Sequence, residues 1–307
     1  GRPVRSLRVF QLLPKSETHV ANQPRLGYAN AECARMLLGT VPVESDGSAF
    51  FRVPARRPLY VQAVDASGRA VHTMRSAVYL QPGERRSCVG CHERPGSPPP
   101  DRPPLASRRA PSRILAGPDG SRPWCFQRLV QPVLARQCVR CHDGAKGPQR
   151  SSLVLTGQPE GEFSKAYNGL RKQVRWYEWG DKSIAQTVTA PGHMGADESP
   201  LLKVLDDGSH RGKVALSDDD RLRLCVWLDG NAAFYGTYSE RERLAREAVR
   251  ERLNAAFGGR RMHRVVDELL LLGWRGLLEL VCVNVGIEGP RWRNLWWPKL
   301  SHDRLFW

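Results

Sequence analysis

The stretch Gln131-Pro-Val-Leu-Ala-Arg-Gln-Cys-Val-Arg-Cys-His142 continues a helical run over Phe126 to Gln137, with its apolar face at Leu129, Val130, Val133 and Leu134, straight into a Cys-x-x-Cys-His motif. A second copy of the motif, Cys88-Val-Gly-Cys91-His92, stands earlier in the chain. This spacing is that of c-type haem attachment. Two thiols three positions apart can each form a thioether to one vinyl group of the porphyrin, and the adjacent imidazole then sits under the iron as its proximal ligand. With eight Cys and eight His in 307 residues, chance supplies about 0.005 such motifs. A zinc site built from both cysteine pairs would have to close the long gap from Cys91 to Cys138, and it would leave both trailing histidines unexplained. The sequence therefore calls for two covalently bound haem c groups. Their cofactor-binding residues are Cys88, Cys91, His92, Cys138, Cys141 and His142, with His92 and His142 as axial iron ligands.

Haem attachment of this kind takes place outside the cytoplasm, so an extracytoplasmic compartment such as the periplasm is expected. The chain begins at Gly1 without a signal sequence and reads as a mature or truncated piece. Cys33, Cys125, Cys225 and Cys282 have no motif spacing. A buried thiol is expected at Cys225, and a disulfide among the others stays open.

The formal net charge of +16 first raises nucleic-acid binding. The basic residues are mostly Arg, scattered rather than gathered on one helix face, and no nucleic-acid motif accompanies them, so no nucleic acid is expected. Arginine also suits haem propionates. The apolar run Val265 to Val285 is interrupted by Asp267, Glu268, Arg275 and Glu279, which argues against a membrane span and for a core helix, or one lying on a partner or a membrane surface.

The expected fold class is α+β: a β-rich, sandwich-like haem-bearing domain followed by a mostly helical cytochrome c domain. Residues 1–92 carry strand-like runs at Ser6 to Leu13, Ala49 to Val53 and Leu59 to Val64, with turn signals at Ser45-Asp-Gly-Ser48 and Ala66-Ser-Gly-Arg69. One short helix is expected near Ala31 to Leu38, and the first motif closes this domain. Residues 93–123, with Ser97-Pro-Pro-Pro-Asp-Arg-Pro-Pro104, read as a Pro/Arg-rich linker. Residues 124–238 read as the helical domain with the second haem. There Ser217 followed by three Asp residues is an N-cap, and Leu222, Leu224, Cys225, Trp227 and Leu228 face a core. Residues 239–307 are a basic helical extension with Trp292, Trp296, Trp297 and Trp307 near its end. It is either an idiosyncratic appendage or a contact for a partner or membrane surface.

The sixth iron ligand separates electron transfer from substrate chemistry. For the second haem, His210 stands ahead of the closing helix, and His193 or Met194 lies in the loop Ala190-Pro-Gly-His-Met-Gly195. For the first haem, His72 and Met74 are near in sequence, and an open iron is equally credible.

Several blocks resemble the hydrazine synthase alpha subunit family. Val41 to Phe50, Met74-Arg-Ser76 and Gln81 to Arg86 look like its middle domain. Gln131-Pro-Val-Leu134, Ser209-His210, Val214 to Leu216, Trp227-Leu-Asp-Gly-Asn231 and Phe234-Tyr-Gly236 are similar to its planctomycete-type cytochrome c domain. The resemblance covers about residues 5 to 238 and not the tail. It implies an upstream β-propeller, a periplasmic or anammoxosome-like setting, and His210 as distal ligand of the second haem, with His193 as the alternative. It also implies a redox partner protein or sister subunits of a multihaem complex. The family's catalytic haem uses a tyrosine shortly after its attachment motif, whereas Glu93 to Pro100 contains none. The leading function is electron transfer by a diheme cytochrome. The alternatives are hydrazine-synthase-like nitrogen chemistry at an open first haem, which leaves open whether the chain is an enzyme, and a binding module in which the haems are secondary.

Overall fold

A computed structural model describes residues 2–15, 23–29, 33–74, 76–90, 101–145, 152–176, 190–207, 210 and 212–240. Gly1–Tyr238 form one compact unit and Ser239–Trp307 a second. The first unit is α+β. Its sheet holds β1 (Ser6–Leu12), β2 (Arg35–Pro42), β3 (Leu59–Val64), β4 (Ala70–Thr73) and β5 (Arg122–Pro123), in the order β4-β3-β1-β2-β5 with every pairing antiparallel.

β1 is central and covered on both sides, which is why Arg8 to Gln11 is an unbroken buried run rather than an alternating one. Val9 packs with Leu38 and Leu59, and Phe51, Val53, Val78 and Ile114 roof that face. On the other face Phe10 stacks on Tyr60, with ring centroids 4.9 Å apart. Arg8 lies there opposite Gln62 and meets the helices. The sandwich-like expectation for residues 1–92 is thus corrected to a single sheet among the described residues. Extended segments cover one face and helices the other. The short helix expected near Ala31 to Leu38 is also corrected, because β2 begins at Arg35. A short apolar run such as Met36-Leu-Leu38 fits either period. Gly39, at φ +139°, settles it: a Cβ there would fall 2.1 Å from the Leu115 carbonyl oxygen, and the β1–β2 register slips beside it to form a bulge.

The described part of the proline-rich stretch, residues 101–123, lies along this sheet. Leu105 N–H donates to Asp46 (2.8 Å), Thr40 and Leu115 bond reciprocally (2.8 and 2.9 Å), and β5 pairs with β2.

A π turn, Phe126–Val130, leads into α1 (Gln131–Gln137) and buries Phe126, Leu129, Val130, Val133 and Leu134, the apolar face read from the sequence. A small hairpin, β6 (Pro159–Glu160) and β7 (Phe163–Ser164), precedes α2 (Lys165–Gly169), and α3 (Pro200–Asp206) follows later. α4 (Asp218–Asp229) is capped by Ser217, whose hydroxyl accepts from Asp220 N–H at 3.1 Å. Leu224, Cys225, Val226, Trp227 and Leu228 are buried, whereas Leu222 is half-buried. Rings of Phe126, Tyr167, Trp227 and Phe234 pack at 4.9–6.3 Å in this core. No helix among the described residues is long and apolar enough to cross a membrane, and Val265 to Val285 lies outside them.

One buried ion pair joins sheet and helices. Arg8 on β1 meets Asp229, the last residue of α4, at 3.1 Å, with both side chains 1% exposed. Arg8 also donates to Gln62 (2.8 Å) and the Gly68 carbonyl (2.6 Å). The Asp229 carboxylate further accepts from Ala70 N–H and Ala196 N–H, each at 2.8 Å. Burial pushes the Asp229 carboxyl above its ordinary value, while Arg8 and the two N–H groups oppose that shift.

Candidate haem sites

The second motif is built by the end of α1. Cys138 N–H still bonds the Leu134 carbonyl (2.8 Å), and Cys141 and His142 N–H groups then turn back onto the Cys138 carbonyl (3.1 and 3.0 Å). That tight turn keeps both thiols and the imidazole in one local frame. His142 is held twice by the strand-like segment that follows. Its carbonyl accepts from Leu155 N–H at 2.7 Å, and its Nδ1 lies 3.1 Å from the Leu153 carbonyl. A carbonyl only accepts, so Nδ1 carries the proton and Nε2 keeps its lone pair for a metal.

Facing it is His210. The two ring centroids are 6.3 Å apart with planes 14° from parallel. Two metal–imidazole bonds of about 2 Å, plus about 1 Å from each nitrogen to its ring centre, span ~6 Å. The 6.3 Å separation is therefore of the length that one iron held between two imidazoles requires. The His210 carbonyl accepts from Lys213 and Val214 N–H groups (3.0 and 3.1 Å), closing a turn around it. Arg140, the second of the two residues between the cysteines, donates from Nη2 to the Lys213 carbonyl. The motif thus grips the loop that presents the facing imidazole. His193, the alternative ligand, is exposed in its own turn, where its N–H donates to the Ala190 carbonyl (3.2 Å).

Cys138 and Cys141 are half-buried free thiols. Burial pushes the Cys138 thiol up to about 11, against the pull of Arg140. Cys225 is buried in α4, as read from the sequence, and burial raises it likewise to about 11. Cys125 is buried, Cys33 is exposed and Cys282 lies outside the described residues. Around the site Asp220 ties Arg136 and Arg223, each at 2.8 Å.

The first motif is described only in part. Cys88 is exposed, at the end of an extended run, and Cys91 and His92 lie outside the described residues. His72 sits on edge strand β4 opposite Ala63, and Met74 N–H donates to the Val61 carbonyl (3.0 Å). The loop carrying His193 docks on the same strand, through Gly192 N–H to the Val71 carbonyl (2.9 Å).

Sequence reasoning missed the Leu153 carbonyl, because a main-chain acceptor leaves no side-chain signature. It also missed the Arg8–Asp229 pair. A charged residue inside the strand run Leu7-Arg-Val-Phe10 was the available signal, since such a charge is buried only with a partner.

Residues 3–93 match the family described as hydrazine synthase alpha subunit middle domain. A hydrazine synthase subunit alpha from Kuenenia stuttgartiensis is 27% identical to this chain, over 46% of it and 24% of the relative. Among solved structures, Kuenenia stuttgartiensis hydrazine synthase matches with a TM-score of 0.53 at 21% identity, covering 76% of this chain and 39% of that one. That likeness is one of fold, and the chain spans well under half the length of either protein.

Proposed function

Because residues 3–93 belong to the hydrazine synthase alpha subunit family, we propose that the chain is a diheme c-type cytochrome acting outside the cytoplasm as an electron-transfer module. The observation that carries this reading is the facing pair of His142 and His210, 6.3 Å between centroids and nearly parallel. When bound, a haem with two histidine ligands supplies one-electron chemistry and leaves no open coordination position for substrate. Cys138 and Cys141 would fix the group covalently. His142 would hold the iron through Nε2, with its ring aligned by the Leu153 carbonyl. His210 would close the other side, and the Arg140 contact would keep its loop in place. Cys88, Cys91 and His92 would carry the first covalent haem, and sister subunits of a multihaem assembly are the partners this family suggests.

The test is an absorption spectrum of the full chain matured with a cytochrome c assembly system, taken as isolated, reduced, and reduced under carbon monoxide. Two covalent haems, both low-spin and indifferent to carbon monoxide, are the expected result for an electron carrier. Carbon monoxide bound at one haem, with the His210-dependent haem unaffected, would replace this reading with catalysis at the first haem. Absence of covalent haem would overturn both.

A further inference from the structure

The face of the sheet away from the helices is roofed by segments 50–57, 78–80 and 112–115. They run side by side: Ser112 N–H donates to the Phe50 carbonyl (2.9 Å), Arg52 N–H to the Ser112 carbonyl (3.0 Å), and Arg56 N–H to the Leu80 carbonyl (2.8 Å). Side chains alternate along them. Phe51, Val53, Val78 and Ile114 point inward onto Val9, Leu38 and Leu59. Their neighbours Phe50, Tyr79 and Leu115 point outward and are 38%, 48% and 66% exposed. Single exposed apolar side chains need no explanation, but here three stand on one hydrogen-bonded surface.

The charge on this surface is of one sign. Residues 50–57, 78–80 and 108–115 contain six arginines and neither Asp nor Glu. Arg109 is neutralised by Glu44 at 2.7 Å, and Arg57 donates to Gln11 at 2.8 Å. Arg52, Arg56 and Arg113 are exposed and have no carboxylate within ion-pair distance among the described residues.

We propose that this face docks an acidic protein surface, with partner carboxylates on Arg52, Arg56 and Arg113 and apolar contact on Phe50, Tyr79 and Leu115. All the cations are Arg, whose planar fork takes carboxylates in bidentate fashion and which is enriched with aromatics at protein interfaces. Anionic lipid is the other chemistry a basic surface can meet, and the vesicle arm of the test below separates that outcome. The same run continues from Tyr79 and Leu80 to Cys88, so a docked partner lies along the chain that leads to the first motif. Docking needs no haem, so its failure and the failure of electron transfer are separate outcomes.

The test uses the full chain, immobilised, with two probes: a synthetic peptide alternating Glu with Phe, and phosphatidylserine/phosphatidylcholine vesicles. The expected result is salt-sensitive peptide binding. Arg52→Ser/Arg56→Ser/Arg113→Ser should weaken it about tenfold or more and flatten the salt dependence. Tyr79→Ser/Leu115→Ser should weaken it while leaving the salt dependence, and this pair still tests the face if the arginine variant fails to fold. Arg171→Ser/Lys172→Ser/Arg175→Ser removes equal charge from the helical half and should change nothing. An equal loss in that control would mean diffuse attraction by a basic molecule and would overturn the proposal. So would binding of vesicles but not peptide, or no peptide binding at low salt.

Discussion

The imidazoles of His142 and His210 approach each other with centroids 6.3 Å apart, and the two are presented by different segments of the chain. His142 is fixed by a side-chain bond and a main-chain bond to the 153–155 segment. His210 is held in its own turn, and Arg140 reaches from the motif to the Lys213 carbonyl of the same loop.

Replacing His210 by Ala should leave the haem attached, since both thioethers and His142 remain. The iron would lose its sixth ligand. The expected outcome is a high-spin spectrum for that haem and tight carbon monoxide binding, read by absorption of the reduced protein. His193→Ala should leave the low-spin spectrum as it is. A low-spin spectrum that survives His210→Ala would transfer the ligand role to His193 or Met194.

Arg140→Ala tests the grip rather than the ligand. The equilibrium spectrum should stay low-spin, because His210 is still present. Carbon monoxide reaches the iron only while the distal loop is open, so the reduced variant should take it up where the wild type stays unreactive. Rapid mixing reads this directly. A variant as unreactive as the wild type would mean that the Arg140–Lys213 contact holds nothing that the His210 turn does not hold alone.

The motifs and the helix leading into the second one were legible because their signals are local. Cys138 to His142 is set by spacing, the burial of Leu129, Val130, Val133 and Leu134 by helical period, and the start of α4 by the Ser217 cap. What was not legible is long-range. Met36 to Leu38 fits a helix or a strand until Leu115 is known to lie against Gly39. The strands of residues 1–92 suit two sheets or one, and the choice of one depends on residues 112–115 and 122–123 returning to pair with them. Position and resemblance favour His210 over His193, and its approach to His142 is visible only in the fold.

The Arg8–Asp229 pair should behave as a buried pair whose members are costly to strand. Asp229→Ala leaves Arg8 charged without its partner and orphans the Ala70 and Ala196 N–H groups, for a loss of about 3–5 kcal/mol. Urea unfolding should show it as an earlier midpoint. The double variant Arg8→Met/Asp229→Leu should be less destabilised than Asp229→Ala, because neither charge is left alone in the core. Additive losses would mean that the two groups are held by their other partners rather than by each other.

Acid should loosen this unit through a different set of carboxylates. Burial works against Asp65 and Asp206, but the hydrogen bonds they accept prevail and hold both below the ordinary 3.8. Asp65 accepts from the Ser67 side chain and from Arg69 and Ser67 N–H groups, and it pairs with Arg2 at 2.9 Å. Asp206 bridges Arg69 and Arg221. A carboxyl depressed in the folded state contributes stability above its unfolded value and loses it as pH falls through the folded value. The unfolding midpoint in urea should therefore fall as pH drops below about 3.8, and 1 M salt at neutral pH should weaken the exposed part of the Asp206 bridge. Asp206→Asn removes one of the depressed carboxyls, so its midpoint should start lower at neutral pH and decline less steeply on acidification. A slope equal to that of the wild type would place the acid sensitivity at the other depressed carboxyls, Asp65 and Asp46.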